Sequence, residues 1–276
     1  MGYKKKKNQI LIETWHGSYG FKRFDKYIDP KWIKTAKKFA SQTDYCISNS
    51  RLETEIFRNT FWHNSRILEI GQPSNDILLT ISKEMEDHLG KIKEKLNIPV
   101  DSKIVLYAPT YRDDSEYVPQ MDYQALISTL EKRFGGKWIL LIRNHYENVK
   151  KHPIAEKGSS PPGIRNVTDV GDIRDLLLLA DVGITDYSSW LCNYILLRRP
   201  AFIYAPDLND YLSKRGFYRP IESFPAMVTT SFSELQSAIM GHNQGIFETK
   251  IDQYLEDIGY IKNDHSTETV VKLMEE

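Results

Sequence analysis

Two histidines directly follow short apolar segments of the chain. His16 comes after residues 10–12, within Thr14-Trp15-His16-Gly17, and His145 comes after residues 138–143. A neutral imidazole in such a place can accept a proton near pH 7. The competing interpretations are a loop histidine packed against Trp15 and, for His145, a histidine in a solvated loop.

Arginines and hydroxyl groups provide candidate anion ligands. Arg112 and Arg143 lie just past apolar segments, where a planar guanidinium can bind a phosphate. The segment 185–189, Thr-Asp-Tyr-Ser-Ser, joins a predicted strand to a predicted helix, whose first amides favour an anion. Arg215 lies in a further polar segment, 210–218. Surface ion pairs and an ordinary helix N-cap are the alternatives.

Alternating strands and helices are predicted to position these residues. Strands are predicted at 10–12, 45–48, 66–70, 104–108, 138–143, 182–185 and 201–204, and helices at 30–44, 51–58, 82–96, 123–134, 173–180 and 188–197. This alternation is typical of a parallel, doubly wound α/β sheet, which binds ligands at the carboxyl ends of its strands.

Composition excludes several classes of protein. The 276 residues include 37 basic and 37 acidic side chains, and a net charge of zero argues against a nucleic-acid-binding protein. Two cysteines cannot form a disulfide framework, and no apolar run is long enough to cross a bilayer or to act as a signal peptide. The remaining histidines lack the spacing of zinc ligands, so no metal site is predicted.

Several segments together resemble the CDP-glycerol glycerophosphotransferase family, the teichoic-acid primases and polymerases. They are Trp-His-Gly at 15–17, Gly-Gln-Pro-Ser-Asn-Asp at 71–76, Ala-Pro-Thr-Tyr-Arg-Asp at 108–113, Arg-Asn-His at 143–145, Thr-Asp-Tyr-Ser-Ser at 185–189 and Arg-Gly-Phe-Tyr at 215–218. The chain departs from the family pattern at Ser74, usually Arg, at Tyr146, usually Pro, and at Asn193, usually Asp.

The resemblance implies a GT-B-like α/β fold with Rossmann-type parallel sheets. It predicts a truncated or reduced N-terminal, acceptor-side domain at 1–78, because only a short segment precedes Trp-His-Gly. It predicts a complete nucleotide-donor-binding domain at 79–245. Helices at 246–276 are expected to pack back on the N-terminal domain.

The resemblance also implies an activity. A family member transfers glycerol phosphate or ribitol phosphate from a CDP-alditol to a lipid-linked teichoic-acid-type or capsular polymer, releases CMP and needs no cofactor. His16 then corresponds to the general base and His145 to a second essential histidine beside the donor pyrophosphate. The donor-binding residues are predicted to be Arg112, Arg143, Thr185, Asp186, Ser188, Ser189 and Arg215.

Such enzymes are peripheral proteins of the cytoplasmic membrane face, so an anionic membrane surface is an expected partner. Lys4–Lys7 and Lys31, Lys34, Lys37 and Lys38 form a candidate basic surface. Two other functions stay open from the sequence: a GT-B glycosyltransferase that uses a nucleotide sugar, and a non-catalytic, membrane-associated donor-binding module.

Overall fold

The computed structural model describes residues 4–16, 21–25, 29–110, 121–144 and 161–275. Within it the chain divides into two units, each built around its own sheet. The first contains Met1–Thr80, Asn209–Ser223 and Ile251–Glu276, and the second contains Ile81–Leu208 and Phe224–Lys250.

Strands and helices alternate along most of the chain. In chain order they are β1 (Ile12–Glu13), α1 (Pro30–Ala40), β2 (Tyr45–Ser48), α2 (Arg51–Asn59), β3 (Arg66–Glu69), α3 (Asp76–Leu79), α4 (Lys83–Lys95), β4 (Ser102–Tyr107), α5 (Tyr123–Phe134), β5 (Lys137–Ile142), β6 (Ile164–Asn166), α6 (Ile173–Leu179), β7 (Val182–Thr185), α7 (Trp190–Tyr194), β8 (Ala201–Tyr204), α8 (Leu208–Lys214), β9 (Met227–Thr229), α9 (Phe232–Met240), α10 (Gln244–Asp257) and α11 (Ser266–Glu275). Short 3-10 turns cover Pro73–Asn75, Ile195–Leu197 and Ile221–Ser223.

The sheet of the second unit is parallel and has the strand order β6-β5-β4-β7-β8-β9 among the described residues. Its central strand β4 pairs Tyr107 with Ile142 of β5 and with Ile184 of β7. Leu106, Leu140 and Ile184 are fully buried, as expected when helices cover both faces of a sheet. The predicted parallel α/β architecture is therefore confirmed.

The first unit has a parallel sheet with the order β1-β2-β3 in the part of the chain that the structure describes. An aromatic cluster packs beside it and includes Phe24, Phe57, Phe61 and Trp62. The helix α2 begins at the N-cap Ser50, whose Oγ accepts a hydrogen bond from the Glu53 amide at 3.1 Å, and Glu53 Oε2 accepts one from the amide of the preceding Asn49 at 2.9 Å.

Some elements differ from the sequence prediction. The helix predicted at 30–44 ends at Ala40, because the side chains of Ser41 and Gln42 fold back onto the carbonyl of Lys38 at 2.9 and 3.1 Å. The helix predicted at 188–197 is wrong in extent: α7 begins only at Trp190 and is five residues long before a 3-10 turn. The strands β6 and β9 and the helices α8 and α9 were not predicted.

Candidate functional site

Three chain segments leave the sheet of the second unit at the same edge. Tyr107, Ile142 and Ile184 are paired in register, so the residues that follow β4, β5 and β7 emerge side by side. These are the Ala108–Thr110 segment, the pair Arg143 and Asn144, and the turn 185–189. Three of the polar segments singled out in the sequence therefore begin at one carboxyl edge of this unit.

Thr185 and Asp186 use their polar atoms to hold this edge together. Thr185 is fully buried, and its Oγ1 donates a hydrogen bond to the carbonyl oxygen of Ala108 at 2.7 Å. Trp190 Nε1 donates to the same oxygen at 3.0 Å. Asp186 is only 1% exposed, and its Oδ1 accepts hydrogen bonds from the amides of Thr110, at 2.8 Å, and Tyr187.

Ser188 and Ser189 are the accessible members of the turn. Both are half-buried, whereas Thr185, Asp186 and Tyr187 are buried. The Ser189 side chain makes no capping hydrogen bond to α7. Because α7 is a five-residue helix, its dipole adds little to an anion site, and the two hydroxyl groups are side-chain donors that this turn can offer a phosphate.

The hydroxyl groups of two buried tyrosines, Tyr187 in the turn and Tyr194 in α7, form hydrogen bonds that hold this region in place. Tyr187 is fully buried and donates its hydroxyl to Asp207 Oδ1 at 2.8 Å. The Tyr194 hydroxyl donates to the Ala180 carbonyl at 3.1 Å, and burial raises the pKa of Tyr194. Gly183 leaves the space for this ring, because a Cβ there would lie 2.8 Å from Tyr194 Cε1.

Arg143 follows β5 at the same edge. Its Nη1 donates to the Val170 carbonyl oxygen at 2.8 Å, which orients the guanidinium. Desolvation lowers the pKa of Arg143 and the nearby Asp172 opposes this change, so the group stays a cation at neutral pH. His145 and Arg112 lie outside the described residues.

His16 lies just past β1 in the first unit. The residue as a whole is exposed, but its ring lies against the Trp15 ring, with ring centroids 4.5 Å apart and ring planes tilted by 42°. Desolvation lowers the pKa of His16; Glu13 raises it and Lys22 lowers it further, by smaller amounts. An imidazole with a lowered pKa is neutral at pH 7, which is the form that accepts a proton.

Trp15 has an unusual backbone for a bulky residue. Its φ is +50°, in the left-handed region that costs a non-glycine residue about 1–2 kcal/mol. Its amide donates to Glu13 Oε1 at 2.7 Å, and its indole packs on Phe24 and Trp62 with ring centroids 5.0 and 5.1 Å away. These contacts hold the strained residue that precedes His16.

The Gly-Gln-Pro-Ser-Asn-Asp segment follows β3 at the carboxyl edge of the same sheet. Gly71 has a φ of +82°, and a Cβ there would lie 2.7 Å from Ser266 Oγ. Asp76 accepts the amides of Ser266 and Thr267 at 3.2 and 2.7 Å and thereby caps α11. Gln72 is 4% exposed and contacts the backbone of the segment that carries His16.

Arg215 belongs to the first unit. Its Nε donates to the carbonyl of Arg23 at 3.5 Å, a long contact, and Arg23 in turn lies over the ring of Tyr218 at 4.8 Å.

Among the described residues there is no group of three or more His, Cys, Asp or Glu side chains placed to hold a metal ion. No helix in the described ranges is long and apolar enough to span a membrane.

Comparison with known proteins gives a family match over the whole chain. The model of the family described as CDP-glycerol:poly(glycerophosphate) glycerophosphotransferase matches residues 1–276. The teichoic acid poly(glycerol phosphate) polymerase of Staphylococcus epidermidis is 33% identical over 98% of this chain and 39% of that protein. The teichoic acid ribitol-phosphate polymerase TarL of Staphylococcus aureus is 28% identical over 97% of this chain and 48% of that protein. The chain thus spans less than half the length of these two relatives.

A solved structure shares the fold. The wall teichoic acid polymerase TagF superposes with a TM-score of 0.81 at 32% identity, over 99% of this chain and 69% of that one. A histidine variant of TagF soaked with CDPG superposes equally well, with a TM-score of 0.81 at 31% identity. This likeness confirms the predicted GT-B-like fold.

Proposed function

The chain belongs to the CDP-glycerol:poly(glycerophosphate) glycerophosphotransferase family, as its sequence predicted, and on that premise we propose that it transfers an alditol phosphate from a CDP-alditol to a polymer acceptor and releases CMP. The alditol is glycerol or ribitol, since relatives of both kinds are similar to the chain over nearly its whole length. The proposed acceptor is a lipid-linked teichoic-acid-type or capsular polymer.

The observation that carries the proposal is the turn 185–189. Its buried members are fixed by hydrogen bonds to the chain, and Ser188 and Ser189 are left accessible at the carboxyl edge of the sheet. Hydroxyl donors held in place beforehand are what a pyrophosphate needs, because its charge grows as the bond to the leaving group breaks. Arg143 and, outside the described residues, Arg112 and His145 are proposed as further ligands of the donor, together with Arg215.

The proposed reaction is an in-line displacement at phosphorus. A hydroxyl of the acceptor gives its proton to His16 and forms a bond to the β-phosphorus of the donor. The bond from that phosphorus to the bridging oxygen breaks, and CMP leaves with the electron pair. The side chains described above supply the proton acceptor and hydrogen-bond donors, so the proposed reaction uses no cofactor.

Surface charge supports a peripheral location on an anionic membrane face. On α1, Lys31, Lys34, Lys37 and Lys38 are exposed, and Trp32 is 40% exposed. Ile33 and Ala36 of the same helix pack against the aromatic cluster, so Lys31, Lys34 and Lys38 lie on the face away from that core. Each lysine near an anionic leaflet contributes about 1 kcal/mol of attraction.

A donor panel tests the function. The chain is incubated with a lipid-linked acceptor mimic and CDP-glycerol, CDP-ribitol or a set of nucleotide sugars, and the released nucleotide is measured. We expect CMP from one or both CDP-alditols. Release from a nucleotide sugar alone would favour a glycosyltransferase, and donor binding without release would favour a non-catalytic module.

Histidine variants test the mechanism in the same assay. His16→Ala should lower turnover by roughly 10²–10⁴-fold, the usual contribution of a general base, while CDP-alditol still binds. His63→Ala is the matched control, because His63 is exposed in the same unit and has no proposed role. Equal turnover in His16→Ala and His63→Ala would remove His16 from the mechanism.

A further inference from the structure

We propose that Gln72 is a positioning residue for His16, an inference that rests on the proposed role of His16 as general base. Gln72 belongs to the Gly-Gln-Pro-Ser-Asn-Asp segment, whose other features cap α11 and close the turn after β3. Its side chain does neither. It contacts the chain 57 and 58 residues earlier, where β1 ends.

The amide of Gln72 is fully engaged as a donor. Nε2 donates one hydrogen bond to the Thr14 carbonyl oxygen and another to the Trp15 carbonyl oxygen, the latter at 3.0 Å. Only the NH₂ end of the amide can face two carbonyl oxygens, so the orientation of the amide is set by its partners. Both N–H groups of the side chain are thus committed to this segment.

The Trp15 carbonyl belongs to the peptide group that joins Trp15 to His16. A hydrogen bond to that oxygen fixes the plane of the peptide and therefore the direction in which the His16 side chain leaves the backbone. Trp15 is otherwise held from its other side, by the bond of its amide to Glu13 and by its indole in the aromatic cluster. Gln72 is the described side chain that bonds to the His16 side of this strained residue.

Gln72 is itself rigid, as a positioning residue must be. It is 4% exposed, and its backbone carbonyl accepts the Asn75 amide at 2.8 Å. The preceding Gly71 amide donates to the carbonyl of Ser48 at 3.1 Å, which ties the turn to β2. The turn after β3 is therefore a fixed support for the segment after β1.

Gln72→Met tests this role, because methionine has a similar length and no donor. We expect kcat to fall about 10–100-fold, the usual effect of misplacing a catalytic group by about 1 Å, with an unchanged KM for the donor. In a His16→Ala background the same substitution should change turnover by less than about twofold, since there is no base left to misplace. Gln236→Met is the control: Gln236 donates to Thr129 Oγ1 at 3.0 Å in the second unit, and its loss should leave kcat unchanged.

A titration of His16 by NMR gives a second readout that needs no substrate. In Gln72→Met the imidazole should leave the Trp15 ring, gain water and titrate closer to its ordinary value of about 6.5. Glu13 and Lys22, the charged groups that act on His16 from the described residues, are the same in both proteins. If wild-type protein released no CMP with any donor but the titration moved, the function would fail and the positioning role would stand.

Two results would overturn the inference. The first is a pKa of His16 that is the same in Gln72→Met as in the wild-type protein, whatever the turnover of the variant. The second is an equal loss of turnover when Gln72→Met is introduced into the wild-type protein and into His16→Ala. If circular dichroism shows that Gln72→Met is not folded, Gln72→Asn is measured by the same criteria. It keeps a polar amide in the buried site but is one methylene too short to reach both carbonyls.

Discussion

Asp186 lies in the proposed donor-binding turn, and the structure gives its carboxylate a specific task. Oδ1 accepts the amides of Thr110 and Tyr187, so it joins the segments that follow β4 and β7. Asp186→Ala would remove the acceptor from both amides. A buried donor without a partner costs about 1–3 kcal/mol, and Thr110 is only half-buried, so we expect a loss of about 2–4 kcal/mol in the free energy of unfolding.

Asp186→Asn separates the acceptor from the charge. The asparagine carbonyl can occupy the position of Oδ1 and accept the same two amides, so the expected loss is about 1 kcal/mol, the difference between a charged and a neutral acceptor. Asp210→Ala is the surface control: Asp210 pairs with Lys214 at 3.1 Å, its side chain is 73% exposed, and such helical pairs contribute less than about 0.5 kcal/mol.

Thermal melts and CDP-glycerol titrations of the three variants form the assay. For a unit of this size, about 2–4 °C of melting temperature corresponds to 1 kcal/mol, so Asp186→Ala should melt roughly 5–15 °C below wild type. Folded Asp186→Asn should still bind the donor. An alanine variant within 1 °C of wild type, or an asparagine variant as unstable as the alanine one, would refute this account of the turn.

Two further predictions concern His16 and the lysines of α1. Desolvation lowers the pKa of His16, so the imidazole stays neutral as the pH falls through the ordinary histidine pKa of about 6.5. The acid limb of the kcat/KM profile, measured between pH 5 and 8, should therefore have its midpoint below about pH 6.5, and a midpoint at or above that pH would contradict this. Lys34→Gln with Lys38→Gln removes two positive charges and should weaken co-sedimentation with anionic vesicles by about 2 kcal/mol, or roughly 30-fold. Lys91→Gln with Lys95→Gln, at the same spacing on α4, should have little effect, and equal losses in the two pairs would argue against α1 as the contact.

The sequence was sufficient to predict most of the second sheet. Its inner strands are short, continuous apolar segments such as 104–108, and this pattern is typical of a strand covered on both faces. The edge strands were missed because they lack it: β6 is three residues long and includes Arg165 and Asn166, and β9 is three residues long with Met227 exposed. Short strands of this kind form because a neighbouring strand offers its free edge, which no local pattern records.

The sequence could predict where the candidate site lies, but not which residues contact one another there. The sequence indicates that polar residues follow β7, but Thr185 meets the Ala108 carbonyl across 77 residues of chain, and only the pairing of β4 with β7 brings them together. The role of Gln72 is hidden in the sequence for the same reason, because its partner Trp15 lies 57 residues earlier in the chain. The left-handed backbone of Trp15 is equally invisible in a sequence, because nothing in a tryptophan indicates a positive φ.

The cap on α11 has a consequence for how the first unit can be divided. Two acceptors on either side of Gln72 bind residues that come much later in the chain. The Asp76 carboxylate accepts the backbone amides of Ser266 and Thr267. The Ile70 carbonyl accepts the Ser266 hydroxyl and the Asn263 side-chain amide. A truncated protein that ended before these residues would lose the hydrogen bonds that hold the turn around Gln72, although the deleted residues are about 190 positions away along the chain. Proteolytic removal of α11 would therefore affect the segment that carries His16, as a substitution next to His16 would.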